Sequence, residues 1–458
     1  MLRYRKSRII NLIFILILNA FFLNSLKSET IYNAMSLAYQ SSPHLKALRA
    51  KLRASDEEIS KVLSDKRPNI NFTGKYGRDS TTTVNTSGLE STRNNSPASV
   101  ELQVKQNLYD SGKVRFNINK IDNIIFANRA DLEAAEQKIL LSTAEVYLNL
   151  YTAIDLYKLA KNNLVVLEKQ YQATETRYEV GEVTTTDLSQ AKARYLKAKA
   201  NEIKTKGDVE IEKSKYFAII GKEPPKELGF PKKKLKLPES LKKAIDIAIK
   251  NNPVVVASGF RKKSSFLDIS AAASDLLPSL DLNLSAENAW DPNTFFDEYQ
   301  NYSIDLRLNI PIYKGGKNYS NVRKKKNIAI ENSKKLDAEI RETIKNVEVV
   351  WLSLNNTQYQ IRAFEASIYA NNVALKGVKE EEKVGTRTTL DVLDAEQELL
   401  EENMEYVKAK RSLFYLSFQL LERIGMLTPE YLNLKVKSYN KTNYYNKVKK
   451  LWLGFEPS

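Results

Sequence analysis

The chain has 458 residues, a net charge of +16 and 28% charged residues, with only 15 glycines and 13 prolines, a balance that favours long helices over a loop-rich globule. It has no cysteine and one histidine, His44, which excludes disulfides, thiolate metal sites and nearly every catalytic constellation, so we expect neither an enzyme nor a cofactor. The basic excess lacks the clustering of a nucleic-acid groove, and a solvated charged surface is the simpler interpretation.

Residues 1–28 have the layout of a secretory signal peptide. A basic start, RYRKSR, precedes an apolar run from Ile9 to Leu23 and the polar segment NSLKSET. The apolar run is too short for a membrane span. We therefore predict export from the cytoplasm, with cleavage near Ser28.

Two segments change from a helical period to alternation of apolar and polar residues. The first follows a predicted helix over residues 31–66 and predicts a β-hairpin over about 69–108, in which residues 79–98 form a long polar loop. The second predicts a hairpin over about 279–311. Its tip carries four aromatic residues, Trp290, Phe295, Phe296 and Tyr299. Such strands suit an outer-membrane barrel or a soluble sheet with one face on a core, and the strand pattern leaves both open.

The second half of the chain repeats the first at a spacing of 204 residues. The motif V-G-x-x-T-T-x-D occurs twice, around Gly181 and Gly385, and each copy lies between two helical patterns. The longer patterns cover residues 113–178 and 317–383, about 100 Å each at 1.5 Å per residue. Because no compact domain buries a helix of that length, we expect these helices to pack side by side as a coiled-coil-like array.

The repeat also sets the other predicted boundaries. The first repeat covers residues 29–221, with tip turn 179–187 and return helix 187–220, and the second covers 241–425, with tip turn 384–391 and return helix 391–424. Proline-rich residues 222–240 are predicted to join the repeats as an extended belt, and basic residues 426–458 to form a disordered or wrapping tail. The turns from strand to long helix contain Gly112, Pro311, Gly315 and Gly316.

Two hairpins give four strands per chain, which are too few to close a membrane barrel. Unpaired strand edges cannot face lipid, and single-chain barrels need at least about eight strands. If the strands enter a membrane, several chains must share one barrel, and the helices continue below it as a tube. Such an assembly is a duct and requires no catalytic machinery.

The sequence resembles the TolC family of outer-membrane efflux and secretion channels over essentially the whole mature chain. The resemblance rests on the twofold repeat, both V-G-x-x-T-T-x-D copies, I-P-I-Y-K-G-G at residues 310–316 and N-N-P-V-V-V-A at residues 251–257. The linker and the ending Y-Y-N-K-V-K-K-L-W-L-G-F are similar to the branch that serves type I protein secretion.

This resemblance implies a mainly α fold with a small β part. It implies a homotrimer whose twelve-stranded barrel contacts lipid in the outer membrane of a Gram-negative bacterium, with a tunnel of duplicated helical hairpins in the periplasm. Docking to a periplasmic adaptor and to an inner-membrane transporter, ABC or proton-driven, is implied as well, and nucleic acid is not.

The resemblance further implies a gate at the two motif turns. Asp391 and Asp394 match the acids that form the periplasmic constriction. The residues that match contacts holding the tip shut are Thr186, Asp187 and Arg387. The family often has a tyrosine where this chain has Glu382, which would repel Asp187, so we expect Arg387 to carry more of the closure.

Helix capping is an alternative account of Asp187 and Asp391, because each ends a T-x-x-D sequence at a helix start. Asp394 lies beyond that first turn and on the same face as Asp391, where like charges repel. Its counterpart in the first repeat is Gln190, so the duplication does not require an acid at this position.

Two other classes of protein share some of these features. A periplasmic adaptor also has a signal peptide and a long helical hairpin, but it has one such hairpin, flanked by split β segments. A structural coiled-coil protein of the envelope would explain the helices and would not require two amphipathic, aromatic-tipped hairpins.

Overall fold

The computed structural model describes residues 30–231, 235–292 and 297–455. The predicted signal peptide, the linker residues 232–234 and the hairpin-tip residues Phe295 and Phe296 lie outside these ranges. Within them the chain forms nine helices and six strands. No helix of this described part combines the length and the apolarity required to cross a bilayer.

Long helices dominate the fold. In chain order the helices are α1 (Ile31–Ser41), α2 (Pro43–Ser64), α3 (Lys113–Glu179), α4 (Thr185–Ile220), α5 (Leu241–Asn251), α6 (Pro253–Ser274), α7 (Lys317–Lys383), α8 (Thr389–Arg423) and α9 (Asn443–Val448). Helices α3 and α7 have 67 residues each, and their boundaries are related by the 204-residue spacing of the repeat. The predicted pair of long helices with shorter return helices is confirmed.

Proline sets the start of the two 22-residue helices that precede the hairpins. Pro43 opens α2 and Pro253 opens α6, a position where the missing N–H costs no helical hydrogen bond. The Asn252 side chain accepts a hydrogen bond from the backbone N–H of Val254 at 2.9 Å and so caps α6.

The strands form two antiparallel sheets. They are β1 (Asn69–Tyr76), β2 (Asp79–Val84), β3 (Glu90–Asn95), β4 (Ala98–Tyr109), β5 (Ser279–Trp290) and β6 (Glu298–Asn309). The larger sheet has the order β1-β4-β5-β6, so the pairing of β4 with β5 joins the two repeats. Leu102 lies opposite Phe72 on one side and Ala286 on the other, and Leu284 lies opposite Ile304, which places the apolar residues on one face.

This apolar face is not covered by a core. Phe72 on β1 is 73% exposed and Ile304 on β6 is 79% exposed, and most of their apolar neighbours on these two strands are exposed as well. A soluble sheet would bury such a face, since exposed apolar patches of this size mark a membrane or protein interface. The exposed apolar face of the described sheet therefore suits contact with an apolar environment.

The stretch predicted as a long polar loop is a hairpin instead. Residues 79–98 contain β2 and β3, which pair in register from Asp79 opposite Asn95 to Val84 opposite Glu90. Across the pair, the hydroxyls of Thr82 and Thr92 share a hydrogen bond of 2.8 Å. The prediction failed because it looked for apolar alternation, whereas threonine favours extended backbone without it.

The chain divides into two compact units, each composed of segments from both repeats. The helical unit comprises residues 1–43, 136–248 and 345–438, and the strand unit comprises residues 44–135, 249–344 and 439–458, in each case as far as the residues are described. The long helices α3 and α7 contribute residues to both units.

In the helical unit, the linker between the repeats lies along the helices. The ring of Phe230 packs against Tyr151 on α3 and Phe414 on α8, with centroids 5.0 and 4.8 Å away. The Tyr147 hydroxyl donates a 2.8 Å hydrogen bond to the carbonyl of Gly229. These contacts join the linker to helices of both repeats.

In the strand unit, the end of the tail packs on α2 and α3. Tyr445 and Val448 of α9 are buried in a cluster with Ile59 of α2 and Ile125 of α3. Of the two predictions for the tail, disordered or wrapping, the second fits these residues. The basic composition of the tail suggested disorder, but its tyrosines pack against the helices.

Candidate functional site

Each tip turn reverses the chain between a long helix and a return helix. Gly181 has a φ of +80° and Gly385 a φ of +78°, the left-handed conformation that glycine adopts at little cost. The N–H of Gly181 donates to the carbonyl of Tyr178, and the N–H of Gly385 donates to that of Glu382, both at 3.0 Å. The motif glycines are therefore required by the backbone of the reversal.

A reciprocal capping box follows each glycine. The backbone N–H of Thr184 donates to the Asp187 carboxylate at 2.9 Å, and the N–H of Asp187 donates to the Thr184 hydroxyl at 3.2 Å. Thr388 and Asp391 form the same box at 2.8 and 3.2 Å. Helix capping thus accounts for one function of both aspartates.

These bonds also hold both carboxylates ionised. The backbone N–H of Thr184, together with its hydroxyl, lowers the pKa of Asp187. The N–H and hydroxyl of Thr388 lower the pKa of Asp391, and the Arg387 guanidinium, 4.0 Å away, acts in the same direction. Asp391 therefore presents a negative charge at the tip at any physiological pH.

Asp394 is paired with a cation of the other repeat. Its Oδ1 accepts a hydrogen bond of 2.5 Å from the guanidinium of Arg194 on α4. This pair connects the return helices α4 and α8. The repulsion expected between Asp391 and Asp394 is thus offset on the side of Asp394.

Glu382 is also paired across the repeats. Arg177, near the end of α3, donates to the Glu382 carboxylate at 3.2 Å. The hydroxyl of Thr389 donates to the same carboxylate at 3.3 Å, just as the hydroxyl of Thr185 donates to Tyr178 at 3.4 Å in the first repeat. Glu382 therefore occupies the position of Tyr178 and adds an ion pair between the two helical hairpins.

The described partners of Arg387 belong to its own helical hairpin, one at the end of α7 and one at the start of α8. Its guanidinium is 3.0 Å from Glu381 and 4.0 Å from Asp391. Thr186, the other lock candidate besides Asp187, is exposed. Among the described residues of one chain, Arg177 and Arg194 make the ion pairs that join the two tips, and Arg387 pairs only within its own hairpin.

A small apolar cluster supports the acidic end of α8. Leu393, next to Asp394 in sequence, is buried together with Leu167 of α3 and Ala198 of α4. Because Leu393 points into this cluster, the neighbouring Asp394 is directed to the helix surface, where Arg194 meets it.

The turns from strand to long helix are structural in the described chain. The Asp110 carboxylate accepts hydrogen bonds from the N–H groups of Gly112 and Val114, at 2.9 and 2.6 Å, and so caps the start of α3. In the second repeat, Gly315 and Gly316 both have positive φ and follow Pro311. These residues serve to redirect the chain from strand to helix.

Sequence reasoning missed Arg177 and Arg194. The repeat alignment does not reveal these pairs, because at a spacing of 204 residues Glu382 corresponds to Tyr178 and Asp394 to Gln190. Only packing of the two helical hairpins brings Arg177 to Glu382 and Arg194 to Asp394. The sequence analysis selected tip residues by their match to the family motif, and neither arginine belongs to that motif.

Comparison with known proteins identifies the class. A model of the outer membrane efflux protein family matches residues 34–222 and 244–423. The chain belongs to this family of non-enzymatic channels, and its resemblance to TolC is confirmed. It is an outer-membrane protein of a Gram-negative bacterium that extends into the periplasm.

Particular relatives cover nearly the whole chain. The outer membrane efflux protein BepC of Brucella suis is 30% identical over 432 residues, which are 93% of this chain and 92% of BepC. The outer membrane protein TolC of Vibrio cholerae is 26% identical and covers 88% of this chain and 92% of its own length. The crystal structure of the Campylobacter jejuni CmeC outer membrane channel matches with a TM-score of 0.78 at 17% identity, over 92% of this chain and 89% of CmeC.

Proposed function

We propose that three copies of this chain form one exit duct through the outer membrane and periplasm, for efflux or type I protein secretion. In this proposal the duct docks to a periplasmic adaptor and an inner-membrane transporter. The observation that carries the proposal is the four-stranded sheet, whose apolar face is exposed on both outer strands.

The sheet supports a shared barrel for a physical reason. Among the described strands, β1 and β6 each pair on one side, so their free edges would leave backbone groups unsatisfied in lipid. Pairing the β6 edge of one copy with the β1 edge of the next removes both edges. Three copies then contribute twelve strands, within the range of membrane barrels, with the apolar face toward lipid.

The tip turns are proposed as the periplasmic aperture. Three copies would bring six carboxylates, from Asp391 and Asp394, around the pore and favour cations over polyanions. Both side chains lie on the first turns of α8, and Asp391 carries its charge as a capping residue. Thr186, Asp187 and Arg387 are proposed to contribute contacts that hold the aperture shut, with Arg387 available to a neighbouring copy.

Channel recording tests the proposal. Purified protein in planar bilayers is expected to form cation-preferring channels, and Asp391→Asn with Asp394→Asn should raise conductance and weaken cation preference. The matched control is Glu398→Gln with Glu405→Gln, two exposed acids further along α8, which should keep the wild-type current. An unchanged current in the aspartate variant would refute the aperture assignment, and a protein that forms no channel would refute the duct.

The copy number and the cargo need separate measurements. Native mass spectrometry of the detergent-purified protein should give a trimer, and a stable monomer or dimer would contradict the shared barrel.

Comparing secreted proteins and retained small toxic compounds between cells with and without the protein separates protein secretion from efflux.

A further inference from the structure

The C-terminal tail follows two helices toward the sheet. Its contacts advance along α2 from Arg49, which lies over the ring of Tyr439, to Glu57, which accepts a hydrogen bond from Tyr444. They end at Arg67, three residues past α2, which lies over the ring of Trp452. On α3 they advance from Glu133, paired with Lys441, to Asp122, bonded by Tyr445. Both series run toward the helix ends that join the strands β1 and β4.

The tail is held firmly just before its end. Tyr445 and Val448 are buried against Ile59 and Ile125. The hydroxyl of Tyr445 donates a 2.5 Å hydrogen bond to Asp122. The direction of the residues that follow is therefore set by a packed element of the strand unit.

The end of the tail is apolar and exposed. Trp452 is 67% exposed, Leu453 is 92% exposed and Phe455 is fully exposed. Two exposed lysines, Lys449 and Lys450, come directly before this segment. Large apolar side chains in this number are costly to leave in water, so a further surface must cover them.

The membrane face of the sheet begins beside this segment. Arg67, whose guanidinium lies 4.6 Å from the centre of the Trp452 ring, is two residues before β1. The first apolar residues of β1, Ile70 and Phe72, are 63% and 73% exposed. Trp452 thus lies at the level where the lipid-facing band starts, the level at which tryptophan is enriched in membrane proteins.

We propose that residues 451–455 insert into the periplasmic leaflet of the outer membrane as an interfacial anchor. Trp452, Leu453 and Phe455 enter the boundary between headgroups and acyl chains, and Lys450 lies at the phosphates with its stem along the apolar surface. Lys449 stays bonded to the Tyr445 hydroxyl, at 3.1 Å. In this proposal the anchor supplies a second hold on the membrane besides the strands. The inference rests on the proposed insertion of the sheet.

Single-tryptophan variants of the full-length protein test the anchor. The chain has three tryptophans, Trp290, Trp351 and Trp452. Trp290→Phe with Trp351→Phe leaves Trp452 as the reporter, and Trp351→Phe with Trp452→Phe leaves Trp290, which ends β5 on the apolar face of the sheet. Trp290→Phe with Trp452→Phe leaves Trp351 on α7 as a reference for the helices.

Each variant is first shown to conduct like the wild type in planar bilayers. It is then reconstituted into vesicles of phosphatidylcholine and phosphatidylglycerol, with or without bromine on the acyl chains. We expect brominated lipid to quench Trp452 to an extent similar to Trp290 and well beyond Trp351.

The outcomes separate this inference from the proposed function. Quenching of Trp290 without quenching of Trp452 would overturn the anchor and leave the inserted sheet intact. A blue-shifted but unquenched Trp452 would show that a neighbouring copy covers the segment, which also overturns the anchor. If neither tryptophan is quenched, the insertion of the sheet fails, and the anchor fails with it.

Discussion

Asp394 on α8 lies beside Arg194 on α4, with 2.5 Å between the guanidinium and the nearest carboxylate oxygen. Removing Arg194 leaves the negative charge of Asp394 without a partner, and removing Asp394 leaves the positive charge of Arg194 without a partner. We therefore expect Arg194→Ala to increase the cation preference of the channel and Asp394→Asn to decrease it. Reversal potentials in a KCl gradient across planar bilayers measure both changes.

A lysine on the same helix provides the control for this pair. Lys213 on α4 is paired with Glu210 of its own helix, at 2.8 Å, and Lys213→Ala should leave the reversal potential unchanged. If Arg194→Ala and Asp394→Asn shift the reversal potential in the same direction, the two residues do not act as a pair in the assembled channel.

Asp56 on α2 is a buried acid under the tail. Burial raises the pKa of Asp56 to about 6 although the Arg129 guanidinium lies 4.0 Å away, and the carboxylate of Glu57 adds to the rise. An ordinary aspartate has a pKa of about 4, so the folded chain binds this proton more tightly than the unfolded chain. The resulting contribution to stability is present at low pH and is lost as the pH rises through about 6.

We expect Asp56→Asn to remove this pH dependence. Between about pH 4 and pH 6, the wild type should lose thermal stability relative to the variant, because the wild type must bury a charge there and the amide does not. Thermal unfolding followed by near-UV circular dichroism at several pH values measures the difference. Asp65→Asn, at an exposed acid just after α2, is the control, and a constant difference between wild type and Asp56→Asn across this range would refute the prediction.

Three helices of the strand unit meet at Asp268. This residue of α6 accepts a 3.0 Å bond from Lys120 of α3 and lies 2.6 Å from Lys325 of α7, so one carboxylate connects both repeats. Burial raises its pKa, but the hydrogen bonds from Lys325 and Lys120 outweigh burial and leave the pKa lowered. Its stabilisation is therefore present above the pKa of the unfolded chain and is lost as the pH falls through the lowered value.

Asp268→Asn should destabilise the strand unit by roughly 1–3 kcal/mol at neutral pH, since two cations lose a charged acceptor. The control is Asp131→Asn, which removes a pair between α3 and α6 with Arg261 and should cost at most about 1 kcal/mol because both partners are well exposed. Denaturant unfolding monitored by hydrogen exchange in α6 gives both values. Equal losses of unfolding free energy in the two variants would show that Asp268, with its two lysines, contributes no more than an exposed ion pair.

The elements differ in how far sequence patterns predicted them. The 67-residue helices and the four strands of the larger sheet followed from periodicity and from the 204-residue repeat. The hairpin of β2 and β3 did not, because both of its faces are polar and its threonines pair through hydroxyls. The packed tail was missed for a similar reason, since one short helix with two buried residues leaves no period to detect.

The two helical hairpins of one chain are joined at their tips by Arg177 and Glu382, 3.2 Å apart. If this pair helps to hold the assembled duct closed, Glu382→Arg should open it by placing two cations together. Cells carrying that variant should become more sensitive to large antibiotics, and Arg177→Glu combined with Glu382→Arg should restore part of the barrier. The restoration is partial because Glu182, 3.3 Å from Arg177, would then face an acid.

The adjacent lysine serves as the control for the tip pair. Lys383 is exposed and pairs with Glu380 of its own helix, so Lys383→Glu should leave antibiotic sensitivity at the wild-type level. Equal sensitivity in Glu382→Arg and Lys383→Glu would show that charge at the tip matters and that the pair with Arg177 does not.

Local patterns were sufficient for the architecture and for the family, because helix period, strand alternation and an internal repeat are written along the chain. The capping boxes of Asp187 and Asp391 were also readable, since both partners lie within three residues. The partners of Asp394 and Glu382 were decided by packing, which brings together side chains about 200 residues apart. The alternation of the strands predicted an apolar face, but only the structure shows that no core covers this face on the outer strands and that the tail packs on α2 and α3.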